Sequence, residues 1–217
     1  MGADVEIYLF DHNSYQRLVV PAYRAFFERH DSQPLVQLLQ TVISKLDADT
    51  PLYTSPLWTR EIYLEALGIV EGKIYYNSKG QQASDSNSKT TRADLQLYVR
   101  RNLGPTLTTP LCIPYKEGLV SNQDMTNSRL VDYLYEGSGW IEDVFTFAKL
   151  LEGGSMEVPI GESSELFTKD EVQKFSVELE RIPEPDDTLL QDELRNLRAL
   201  VQLALSDPNL TLIRSII

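Results

Sequence analysis

Apolar residues recur at steps of three and four along much of this chain and at steps of two near both of its ends. The clearest pattern lies in residues 168–217. Thr168 and Glu171 have the spacing of a capping box, in which the hydroxyl accepts from the amide three residues on and the carboxylate reaches back. Val172, Phe175, Leu179 and Ile182 then share one side of a 3.6-residue spiral while Lys174, Glu178 and Arg181 face water. Pro183 and Pro185 remove amide donors and push the residues before them out of helical geometry, so this helix should stop near Arg181. A second helix is predicted from near Thr188, with Leu190, Leu194, Leu197, Val201 and Ala204 as its seam, and the run Ser206-Asp207-Pro208-Asn209 breaks it. After it, Leu210, Leu212 and Ile216 alternate with Thr211, Ile213 and Ser215, which reads as a strand. A lone strand leaves its backbone groups unpaired. The expected partner is the other alternating run, where Val5, Ile7 and Leu9 interleave with Glu6, Tyr8 and Phe10.

Between these ends the pattern is mostly helical. Asp11, His12, Asn13 and Ser14 form a polar break, and Leu18, Val19, Ala22, Ala25 and Phe26 keep helical spacing to about Arg29, with Pro21 expected to kink or restart the helix. Pro34 opens another helix with Leu35, Leu38, Leu39, Val42, Ile43 and Leu46 as its buried stripe. Residues 59–67 read as a short helix preceded by Trp58, and residues 73–76 as a short strand. Residues 77–91 are almost wholly polar and cannot offset their ordering entropy by burial, so they are expected to form a mobile surface loop. Residues 92–103, 128–135 and 141–151 read as helices, and 104–114 as an irregular passage rich in Pro and Thr. The predicted class is α+β: a helix-rich single domain, 1–217, with a small sheet that includes the N- and C-terminal strands.

Composition changes this picture little, and charge changes it more. The chain is 42% hydrophobic and 24% charged, without an apolar run long enough to cross a bilayer, so no membrane association is expected. Net charge is −12, and residues 152–217 hold 14 acidic and 6 basic side chains. Residues 72–101 run the other way, with 6 basic against 2 acidic. An acidic whole argues against binding nucleic acid and favours a protein partner with a basic surface. The single cysteine, Cys112, excludes an intramolecular disulfide and fits a reducing compartment; with no secretory pattern at the start, a cytoplasmic location is expected.

Candidate chemistry is sparse. Each of the two histidines adjoins an aspartate, in Asp11-His12 and His30-Asp31, but 18 intervening steps of helix would hold the imidazoles about 27 Å apart, too far for a joint metal site. His30 falls near a helix C-terminus, where a positive charge is favourable. His12 sits between a strand end and a helix start, and Asp11, His12 and Tyr15 form the candidate ligand site. Cys112 lies among Pro110, Leu111, Ile113 and Pro114, surroundings that raise a thiol pKa instead of activating it. No phosphate-cradling glycine loop or nucleophile elbow occurs, and no cofactor or metal is expected. Tyrosines and tryptophans crowd residues 53–140. Trp58 and Trp140 are the candidate partner-binding anchors, since these residue types are enriched at interfaces. The best-supported reading is a non-enzymatic protein-binding module, inhibitor-like or immunity-like, acting through an acidic, aromatic-bearing surface. The alternative is a small enzyme or ligand binder around Asp11 and His12.

The run Leu150-Leu151-Glu152-Gly153-Gly154, then Leu166-Phe167-Thr168-Lys169-Asp170-Glu171-Val172 and Leu179-Glu180-Arg181-Ile182, resembles the second half of the YfbM-like family, as does the Met1-Gly2 start. In that family a glycine pair precedes a capped helix, and a last long helix leads into a terminal strand. The resemblance implies an α+β bacterial cytoplasmic protein and supplies no catalytic residue.

Overall fold

The N-terminal alternating run forms strand β1 (Val5–Asp11) in the computed structural model, which describes residues 5–48, 59–77, 82–83, 89–113, 122–124, 129–137 and 164–216. The polar break after it is already helical. One α-turn (His12–Ser14) passes into a π-helical turn (Tyr15–Val19) and then α1 (Val20–Arg29). Pro21 does not break the helical run, and the α-helix restarts at Val20 with Pro21 as its second residue. A proline ring crowds the carbonyl four residues back and offers it no amide, and here that residue, Arg17, lies inside the wider π turn. A second π turn (Val99–Leu103) likewise precedes a short helical segment, the one from Gly104. Helix α1 ends at His30, a left-handed residue with φ 63° whose amide, like that of Asp31, donates back to the Ala25 carbonyl.

Helices α2 (Gln33–Asp47) and α3 (Arg60–Val70) follow, and the carboxylate of Asp47 grips Arg60 through Nε at 2.5 Å and Nη2 at 3.2 Å. Tyr75–Tyr76 (β2) pairs with Gln82–Ala83 (β3), so part of the span expected to be loop is paired strand. Thr90 ties the return of this excursion to its start, its hydroxyl accepting from the Tyr76 amide at 2.8 Å. Residues 78–81 and 84–88, on which the rest of that expectation falls, lie outside the described residues. Helix α4 (Arg92–Tyr98), the second π turn, a short α5 (Gly104–Thr108) and a 3-10 turn (Thr109–Leu111) come next. The passage from 104 was expected to be irregular. Its threonines instead return hydroxyls to the turn before, Thr106 to the Asn102 carbonyl at 3.1 Å and Thr108 to that of Gly104 at 2.9 Å.

The remaining elements are β4 (Asn122–Asp124), α6 (Arg129–Gly137), β5 (Ser164–Leu166), α7 (Lys169–Arg181), α8 (Thr188–Ser206) and β6 (Leu210–Ile216). The helix expected over 141–151 lies outside the described residues. The molecule is a helix-rich α+β protein whose small sheet holds both terminal strands.

Contacts gather the chain into two compact units that interleave along the sequence, a division that no linker marks. The first comprises residues 1–12, 115–156 and 163–217. Its antiparallel sheet runs β4-β1-β6-β5, and β1 meets β6 along its whole length, from Val5 opposite Ile216 to Asp11 opposite Leu210. Ile7, Tyr8, Leu9 and Phe10 are all buried, so both faces at the centre of the sheet are covered. Helices α7 and α8 form an antiparallel hairpin, and α8 packs on β6. Val172, Phe175, Leu179 and Ile182 are buried as the spacing predicts. The seam of α8 is Leu194, Leu197, Leu200, Val201 and Ala204, while Leu190 at its first turn stays half-exposed. Burial of each such side chain contributes roughly 1.5–3 kcal/mol.

The second unit comprises residues 13–114 and 157–162. Its core is built from α1, α2 and α3 with α4 and the π turns. Tyr15, Tyr23, Tyr63 and Tyr98 are buried within it beside Leu35, Leu39, Ile69 and Leu103, and the Tyr23 hydroxyl donates to the Val99 carbonyl of the second π turn at 3.4 Å.

Candidate functional site

The link between α7 and α8 contains Pro183 and Pro185, whose missing amides leave nearby carbonyls dependent on side chains. Arg198, reaching back from α8, meets that need. Its Nη2 donates to the carbonyls of Leu179 at 2.9 Å and Ile182 at 2.6 Å, while Nη1 pairs with Glu184. Gln191 donates to the Pro185 carbonyl at 2.8 Å, and the Tyr133 hydroxyl to that of Pro183 at 3.1 Å. Asp187 caps α8 by accepting from the amides of Leu189 at 2.9 Å and Leu190 at 3.3 Å, and its other oxygen meets Arg129 at 3.0 Å. The far end of the hairpin is held in the same manner. Lys169, first residue of α7, donates to the Ala204 carbonyl and, at 2.8 Å, to that of Asp207, so a cation covers the last carbonyls of α8. The capping box expected at Thr168 and Glu171 is formed in both directions.

Charge is divided between the units. The first carries 21 acidic and 9 basic side chains, the second 11 of each, so the whole −12 of the chain resides in the first. Basic groups near the hairpin are largely turned to the chain itself. Arg181 pairs with Glu178 at 2.9 Å and Arg195 with Asp192 at 2.8 Å, Arg198 and Lys169 hold helix ends, and Arg214 on β6 is fully buried. Asp170, Glu180 and Asp186 are exposed and form no ion pair among the described residues. Leu189, 68% exposed, lies on the first turn of α8, three residues after Asp186.

The candidate ligand residues fall in different surroundings. Asp11 ends β1 opposite Leu210, and His12 follows it, both half-buried in the first unit. Burial, and then the charge of Lys169, hold the His12 imidazole below its ordinary pKa, with Asp11 pulling the other way, so the ring is neutral at neutral pH. Tyr15 belongs to the second unit, and burial raises the pKa of its phenol. Trp58 and Trp140 lie outside the described residues. Among the other aromatics, Tyr63 and Tyr98 are buried and Tyr75, Tyr76 and Tyr133 half-buried. Tyr76 meets Tyr98 edge-on at 4.9 Å and accepts from Asn102 at 3.2 Å.

Among the described residues no three His, Cys, Asp or Glu side chains converge as a metal site, and no helix is long and apolar enough to cross a membrane. Lys169 and Arg198, which hold the two ends of the hairpin, carry no signal in the sequence that singles them out. Their acceptors lie 14 to 38 residues away, so no local pattern marks them. The chain matches no family model, no curated protein and no solved structure.

Proposed function

We propose that this chain is a non-enzymatic protein-binding module, inhibitor-like or immunity-like, that meets a basic partner surface through the acidic hairpin of its first unit. The observation that carries this reading is the confinement of the entire −12 to one unit whose hairpin cations are mostly spent on the chain's own groups. Such a field steers a basic partner and speeds its encounter, and it repels nucleic-acid phosphates. The tethered link supports the reading as well, because a surface that is already ordered loses little freedom on binding. Leu189 supplies an exposed apolar side chain among the carboxylates.

A cytoplasmic location is part of this proposal, supported by the single cysteine, which is buried and forms no disulfide. Kinship with the YfbM-like family is likewise a proposal; it rests on residues 150–182 of the sequence and assigns no residue a role.

The test is affinity capture with the intact protein and with the triple variant Asp170→Asn, Glu180→Gln, Asp186→Asn, each at low salt and at about 0.5 M, where the screening length falls to a few ångströms. The expected outcome is a basic protein retained at low salt, released at high salt, cross-linked to α7 or α8, and lost from the variant. Equal retention by variant and parent would overturn the proposal.

A further inference from the structure

We draw no further inference here: the strongest candidate, the cluster of Asp11, His12 and Lys169 where β1 ends, rests on the shifted protonation of His12, and Lys169 is already engaged by the carbonyls of Ala204 and Asp207, so nothing at the cluster points to a ligand.

Discussion

His30 holds a left-handed backbone conformation at an exposed helix end, a position that favours glycine because a Cβ is strained there. Its position near a helix C-terminus makes its positive charge favourable, and the backbone gives it a second role that residue type does not announce. His30→Gly is expected to raise stability by about 0.5–1 kcal/mol, seen as a higher urea midpoint with an unchanged slope. The other histidine makes a pH prediction. Folding lowers the His12 pKa from its ordinary 6.5, so between that value and the folded one the unfolded chain binds the extra proton. Stability must then rise with pH through that window and fall as the solution is acidified below about pH 6.5. Comparing urea midpoints of the parent and His12→Asn at about pH 7 and pH 5.5 isolates this contribution. The variant should lose less on acidification, and an equal loss in both proteins would refute the assignment.

At the scale of elements, local chemistry sets where the helices of the hairpin begin. Thr168 and Asp187 both accept from amides of the helices they open, as their residue types lead one to expect. Where α7 ends is a different matter, since its final carbonyls are satisfied by Arg198 from the neighbouring helix. Arg198→Gln keeps length and polarity but removes the forked donors, and it is expected to cost roughly 2–3 kcal/mol, because bonds from a charged donor to otherwise unpaired carbonyls are lost. Amide exchange over residues 182–190 should quicken more than in α2. Unchanged protection there would mean that the prolines alone hold the link. The first π turn teaches a related lesson. A proline in a helical pattern reads as a break, yet at Pro21 the chain keeps its helix by widening one turn, an outcome available once neighbouring side chains are packed.

On the scale of the whole molecule, the second unit concentrates phenols that folding keeps protonated. Burial raises the pKa of Tyr15, Tyr23, Tyr63 and Tyr98 above the ordinary 10.0, and Tyr23 also feels its neighbours Tyr15 and Tyr98. Above that pH the unfolded chain releases these protons and the folded chain does not, so stability falls as pH rises. Tyrosinate absorbance should therefore appear together with loss of helical circular dichroism, as one transition. Smooth phenol ionisation at an ordinary pKa, with the helices intact, would show the rings to be accessible. The first unit holds the charge and the second is neutral, a partition only partly visible along the chain, where residues 152–217 hold 14 acidic and 6 basic side chains, because residues 1–12 and 115–156 belong to the same unit.

What the sequence by itself determined is whatever depends on near neighbours: the capped start of α7, the buried stripe of α7, the Leu35, Leu39 and Ile43 half of the stripe expected in α2, and the matched alternation of residues 5–10 and 210–216 that became β1 and β6. These follow from helical and extended repeat lengths, which are properties of a few consecutive residues. Only the tertiary structure decided the rest. Strands β4 and β5 are three residues each, one of them Asn-Gln-Asp, and have no periodicity to read; they are strands because β1 and β6 present unpaired edges to them. Lys169 and Arg198 became helix caps, and Tyr15 a core residue, because packing brought distant groups together. Hydrogen bonding and burial depend on distance in space, which the order of residues along the chain does not contain.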